Sequence, residues 1–432
     1  MVIHVVSSGE SVWSIARAYG LEPAQVAADN QVPADGALAV GQTLVLRFPD
    51  RVHTVALGET VTSIAGQYGL TLRELYRNNF SLGGQPLLFP GQRLTLSFQD
   101  QPPLTPAVVN GYAYPNIELG ALEETLPYLT ALAPFTWGIG ADGALLPLED
   151  LSLRRAAWNM GTVPLLHLST LTEEGNFSTQ RAEEILSNEA AQADLIAQVV
   201  QAVRSRGYGG ADVDFEYIPS ALGPAYASFL GQLRQALSPL PLWAALAPKT
   251  RADQPGLLYE AHDYAAIGAA VDAALLMTYE WGYLAGPPMA VAPLPNVRAV
   301  LDYAVTEIPP EKLLLGLPNY GYDWPLPFIQ GQTRAKSLSS QEAIALAVRY
   351  GVAISYDETA QSPWFRYTDW EGVEHEVWFE DARSLEKKLL LIQEYGLLGT
   401  GIWNLMRPFS QLWLLLGALF DMDQPLPSQP AF

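Results

Sequence analysis

Residues 209–217 read Gly209-Gly210-Ala211-Asp212-Val213-Asp214-Phe215-Glu216-Tyr217. Acidic residues at 212, 214 and 216 alternate with apolar ones at 213 and 215. On a strand, successive side chains point to opposite faces, so the three carboxyls share one face. A solvated face would explain such alternation in an antiparallel sheet. It does not suit a parallel strand buried on both sides, whose inner face is ordinarily apolar. Three carboxyls spaced about 7 Å apart in a partly enclosed site repel one another. Crowding of that kind favours keeping at least one protonated near neutral pH, as a general acid requires.

Working outward, short apolar runs alternate with helical stretches, the pattern of a βα barrel. The runs fall at 107–112, 134–138, 163–168, 211–216, 242–247, 273–279, 313–319 and 399–404, which makes eight strands. Between them Leu195, Ile196, Val199, Val200 and Val203 form a helical stripe ended by Gly207. The gap between the seventh and eighth strands is too long for one helix. It predicts a helix over 339–350, strands at 364–367 and 374–379, and hence an inserted α+β lobe at 323–382. Such a lobe belongs on the active face of a barrel. The fold class is thus α/β, a (β/α)8 TIM barrel over 107–420 followed by a tail at 421–432.

An internal repeat precedes the barrel. His4-Val5-Val6, Gly9-Glu10-Ser11-Val12 and Tyr19-Gly20-Leu21 are echoed by His53-Thr54-Val55, Gly58-Glu59-Thr60-Val61 and Tyr68-Gly69-Leu70. Each copy carries a later asparagine, Asn30 or Asn79, and closes on Gly41-Gln42 or Gly91-Gln92 before a strand. Ser11 and Thr60 can cap the helix that follows. Apolar residues at 12, 15, 16 and 19 give that helix a buried face. Two small βααβ modules result, at 1–49 and 50–99, with a Pro-rich linker at 100–106.

Composition narrows the chemistry. The 432 residues carry a formal net charge of -21, which argues against a nucleic-acid partner. There is no cysteine, and the five histidines stand at no ligand spacing, so neither a thiolate site nor a metal enzyme is expected and no cofactor is called for. The start of the chain has no basic n-region and does not read as a secretory signal. The apolar run 412–420 is too short to span a membrane and reads as a packed helix.

The repeat resembles the lysin motif across both units. That resemblance implies binding to N-acetylglucosamine-containing glycans such as peptidoglycan or chitin. It places the groove at Gly9, Glu10 and Asn30 in one module and at Gly58, Glu59 and Asn79 in the other. Scaffolding modules that bind protein are the alternative.

The barrel is similar to family 18 glycoside hydrolases. The match rests on Asp-x-Asp-x-Glu at 212–216, Met277-Thr278-Tyr279-Glu280-Trp281, Leu315-Gly316-Leu317-Pro318-Asn319-Tyr320-Gly321 and Gly401-Ile402-Trp403-Asn404. The resemblance implies a substrate-assisted, retaining mechanism. Glu216 would be the acid, Asp214 would hold the substrate's acetamido N–H, Asp212 would support Asp214, and Tyr279 would orient the acetamido carbonyl. Trp403, Glu280, Tyr112, Asn319 and Tyr320 would contact substrate. Two departures stand out: Gly209-Gly210 where Asp-Gly is common, and Glu280 where aspartate is common. Together with the tandem modules, Gly-Pro-Pro-Met-Ala-Val-Ala-Pro at 286–293 and Val377-Trp378-Phe379-Glu380-Asp381-Ala382-Arg383, the chain resembles spore cortex-lytic N-acetylglucosaminidases. A spore-associated location without an export signal would follow, otherwise a cytoplasmic one. The alternatives are a chitinase or chitooligosaccharide hydrolase on the same machinery, and a non-catalytic glycan-binding spore-coat protein on the same fold.

Overall fold

The computed structural model describes residues 1–33, 36–99, 104–172 and 174–426. Parallel strands Val108–Ala113, Ala131–Pro134, Leu166–Ser169, Ala211–Asp214, Leu242–Leu246, Ala273–Leu276, Leu313–Pro318 and Gly399–Trp403 form the barrel. It closes through the third strand. Val163–Pro164 pairs with the second strand, and Leu166–Ser169 pairs with the fourth. Helices pack outside, the longest being Glu189–Arg206, which ends on Gly207 as its sequence requires.

Alternation sorts the side chains. Ala211, Val213 and Phe215 join the large core between strands and helices. Tyr112, Ala131, Ala133, Trp243 and Leu275 fill the barrel interior, where Asp212 and Asp214 also point. The second strand corrects the expectation of 134–138: it is Ala131–Pro134, and Gly138–Ile139 instead pairs with Leu145–Leu146. Phe135 and Trp137 carry the stronger strand propensity, but the crowded interior takes small alanines at alternate positions.

The inserted lobe begins at Tyr320, three residues before its expected start. Its antiparallel sheet runs Lys336–Ser339, Tyr320–Pro325, Glu374–Trp378, Ser362–Thr368, Ser355–Asp357, with helix Ser340–Tyr350 packed on it. The seventh barrel strand therefore passes almost directly into the lobe.

Each N-terminal module pairs two strands and packs two helices. Val2–Val5 pairs with Thr43–Leu46, and Pro49–Thr54 with Arg93–Phe98. Ser11 and Thr60 both close capping boxes with the serine three residues on. Of the expected linker, residues 100–103 lie outside the described residues. Thr105–Pro106 is instead a short strand paired with Phe420–Asp421. The tail is likewise structural, because Leu426 sits in the interior core of the barrel; residues 427–432 lie outside the described residues.

The modules are docked on the barrel. Gln411 Nε2 donates to the Thr43 carbonyl at 2.6 Å, and Thr43 Oγ1 donates to Gln411 Oε1 at 2.7 Å. Arg77 makes a two-pronged contact with Asp423 and also donates to the Pro127 carbonyl at 3.0 Å. Module 1 also meets the lobe: Ile354 N donates to the Val40 carbonyl at 2.8 Å. Gly41 sits there at φ +85°, and a Cβ on it would lie 2.0 Å from the Ile354 carbonyl oxygen. Its counterpart Gly91 has φ +87° and nothing within 4 Å.

That pair makes an internal control. Gly91→Ala should lose about 1–2 kcal/mol, the cost of a left-handed alanine. Gly41→Ala should lose at least about 1 kcal/mol more, through overpacking against the lobe. It should also make the lobe hairpin protease-sensitive. Denaturant melts and limited proteolysis of the full chain check both; equal losses would mean the module–lobe contact is not formed.

Candidate active site

Asp214 closes the fourth strand at its C-terminal end, where barrel enzymes place their chemistry. Glu216 follows two residues later, and Tyr217 turns the chain with φ +56°. The turn is pinned from both sides. The Phe215 ring stacks on Tyr226 and Phe229. His262 Nε2 donates to the Phe215 carbonyl at 3.0 Å while its Nδ1 accepts from Ala247 N–H at 2.9 Å. Burial pushes the His262 imidazole down to about 4, so the ring is neutral and can serve both contacts.

A cavity of about 650 Å³ opens above these residues. Asp214, Glu216, Tyr279, Glu280, Tyr112 and Trp403 all line it, so it gathers most of the residues that the sequence pointed to. Aromatic side chains supply much of the remaining wall, among them Phe135, Phe177, Tyr217 and Tyr259. Trp403 meets Phe135 edge-on at 4.9 Å between ring centres, leaving a partly open indole as an apolar surface.

Among the described residues no cation lowers these carboxyls, and their electrostatics follow from burial. Tyr112 Oη donates to Asp212 Oδ2 at 2.9 Å, whereas Oδ1 of Asp212 and Oδ1 of Asp214 have no hydrogen-bond partner. Desolvation raises Asp212 to about 7. Desolvation, then the charges of Glu216 and Asp212, hold Asp214 well above the usual carboxylate range. Burial lifts Glu216 to about 7 as well. The Tyr279 phenol is raised far enough to remain a donor. Glu280, at φ +65°, accepts from the hydroxyls of Tyr320 and Tyr322. Burial nevertheless keeps its carboxyl above the ordinary range.

Other expected contacts fall elsewhere. Tyr320 stands behind Glu280 rather than on the cavity wall. Asn319 is buried, and its Nδ2 donates to the Arg407 carbonyl at 2.8 Å, so it braces the loop after the eighth strand. Asn30 and Asn79 do not face a groove. Each is buried and bridges its helix to the closing strand: Nδ2 of Asn30 reaches the Val26 and Val45 carbonyls, and that of Asn79 the Leu75 and Thr95 carbonyls. Glu10 and Glu59 are spent internally on His4 and His53. Gly9 and Gly58 hold open turns at φ +84° and +88°. The two module rims differ. Leu57 and Phe89 are 89% and 62% exposed in module 2, while Ala39, the counterpart of Phe89, is 5% exposed against the lobe. His167 and Phe135 were not singled out from sequence. The alternation of Leu166-His167-Leu168 could have marked the first; the mispositioned second strand hid the other.

Raised carboxyls carry a stability consequence. A folded-state value of about 7 for Asp212 means that its contribution is fully present below the unfolded value of 3.8. It is lost as pH rises through about 7. Asp212→Asn, which cannot ionise, should therefore melt higher than the native protein at pH 7.5, with the difference vanishing near pH 4. Scanning calorimetry at the two pH values checks this, and a gain that persists in acid would contradict it.

Comparison with known proteins agrees with this geometry. Residues 173–407 match glycosyl hydrolases family 18, and residues 4–47 and 53–97 match the LysM domain. The cortical fragment-lytic enzyme of Bacillus subtilis (strain 168) is 39% identical, over 98% of this chain and 99% of its own. The crystal structure of the Bacillus cereus spore cortex-lytic enzyme SleL superposes with a TM-score of 0.83 at 38% identity, covering 97% of this chain and 98% of that one. A chitinase from Chromobacterium violaceum, 29% identical, superposes with a TM-score of 0.67 and covers 72% of this chain and 98% of its own. The chain is a glycoside hydrolase, belonging to glycosyl hydrolases family 18 and carrying two LysM domains ahead of its barrel.

Proposed function

We propose that this hydrolase is a retaining, substrate-assisted β-N-acetylglucosaminidase acting on peptidoglycan, with the spore cortex as its substrate. One observation carries the mechanism. Among the described residues, the carboxyls lining the cavity, Asp214, Glu216 and Glu280, all lie above the ordinary carboxylate range, so none is a fully ionised nucleophile near neutral pH. A two-carboxylate retaining mechanism needs one ionised nucleophile beside the acid. Here the nucleophile is better supplied by the sugar.

Glu216 protonates the glycosidic oxygen as the bond to the anomeric carbon breaks. The acetamido oxygen of the same sugar closes on that carbon, giving an oxazolinium ion. Asp214 accepts the acetamido N–H and offsets the positive charge; Asp212 shares its proton. The Tyr279 hydroxyl donates to the acetamido carbonyl oxygen. Water then opens the ring on the original face, with Glu216, now a carboxylate, taking its proton. Trp403 gives the sugar ring an apolar floor. Glu280, held by two tyrosines, fixes a polar edge whose reach differs from that of an aspartate.

The choice of cortex rests on relatives that match over nearly the whole chain, both modules included, and are named for cortex lysis. The chitinase covers 72% of this chain. Module 2, with its open apolar rim at Leu57 and Phe89, would bind the glycan, while module 1 holds the lobe.

Purified spore cortex should be cut by the native protein into fragments ending in reducing N-acetylglucosamine, and Glu216→Gln should release at least about a thousandfold less. A thiazoline mimic of the cyclic intermediate should inhibit. Insensitivity to it would overturn substrate assistance, and faster cleavage of soluble chitin oligomers would overturn the cortex assignment. Intact binding with no release by either protein would favour a glycan-binding role.

A further inference from the structure

His167 lies inside the barrel on the third strand, fully buried, with its ring on the cavity wall. Its Nε2 is 3.8 Å from Asp214 Oδ2 and 4.0 Å from Asp212 Oδ2. Its Nδ1 is 2.7 Å from Thr136 Oγ1, which in turn lies 3.1 Å from Ser169 Oγ. The ring is wedged between Phe135, at 4.8 Å between centres, and the edge of Tyr112 at 5.5 Å. The groups facing it are thus two carboxyls from the fourth strand, a phenol from the first, a hydroxyl from the end of the second and a phenyl ring. None of these strand segments carries a lysine or arginine.

Two tautomers are possible for a neutral ring. With the proton on Nδ1, a lone pair on Nε2 would face the carboxylate that the proposed reaction requires in this pair. With the proton on Nε2, the Thr136 hydroxyl donates to Nδ1 and the Nε2–H faces both carboxyls. Burial drives the imidazole down to about 3, so it stays neutral across the working range.

We infer that His167 is a positioning residue: a neutral Nε2–H donor that holds the single negative charge of the Asp212–Asp214 pair while Glu216 keeps the proton it must deliver. This rests on the reaction proposed above. The distances of 3.8 and 4.0 Å are just beyond hydrogen bonding, so the role requires the charged carboxyl to turn onto this donor. The partnerless Oδ1 atoms mark the pair as short of donors. Tyr112 supplies one, to Asp212 alone. His167 is placed to serve whichever carboxyl bears the charge. Without it the pair keeps both protons to higher pH, and Asp214 cannot offset the oxazolinium charge.

Three variants separate this role from packing. His167→Gln keeps a donor at the Nε2 position, His167→Asn keeps one only near Nδ1, and His167→Leu keeps none. On purified cortex fragments, the Asn and Leu variants should lose about ten- to a hundredfold in kcat, with KM nearly unchanged. The acid limb of their pH profile should move to higher pH, while Gln restores both. Equal losses in all three variants with unmoved limbs, or no loss in any, would overturn the inference. Should the variants not fold, ¹⁵N-histidine NMR of the native protein decides. Protonated Nε2 and bare Nδ1 at neutral pH are expected, and the opposite tautomer or a charged ring would overturn it. Native protein with the expected tautomer but no turnover would count against the proposed reaction instead.

Discussion

Carboxyl groups buried with no neutralising cation among the described residues set the terms for the rest of this molecule. Asp212 and Asp214 are desolvated by the barrel wall, and neither finds a full set of hydrogen bonds. Trp243, Leu275 and the alanines of the second strand fill the space beneath, and Leu426 returns from the C-terminal segment to the same interior core. The energy spent on that confinement reappears as a proton retained near neutral pH.

Confinement also explains why supporting residues are neutral donors. Tyr112, His167 and Tyr279 each offer an O–H or N–H without adding charge. A lysine here would pull the carboxyls towards full ionisation and remove the acid. The same logic recurs at Glu280, where Tyr320 and Tyr322 donate to the carboxyl yet leave it above the ordinary range.

Much of this was legible in the sequence because strand alternation is a short-range rule. The run from Ala211 to Glu216 declared its own faces, and the capping hydroxyls of Ser11 and Thr60 needed only three residues to read. The rest depended on contacts between distant segments. Whether the second strand began at Ala131 or Pro134 was decided by how much volume the barrel interior could accept, not by propensity. Asn30 and Asn79 looked alike for a binding residue and for a backbone brace, and only their burial separated the two. The tyrosines gripping Glu280 come from the strand that leaves the barrel for the lobe, a turn that no local pattern announces. His167 was visible as a polar residue among leucines, but its partners lie thirty or more positions away in either direction along the chain.

The docking of the modules bears on how such an enzyme travels over an insoluble polymer. Thr43 and Gln411 exchange two hydrogen bonds, and Arg77 grips Asp423, so the two modules are bolted to the barrel rather than hung from it. A binding unit on a slack leash lets its catalytic partner sweep a volume, cutting many bonds from one foothold. Bolted parts have no such sweep: each foothold presents one bond geometry to the cleft, and the next cut requires stepping off. Digestion would then proceed as a walk of discrete placements, its pace set by how quickly the foothold lets go.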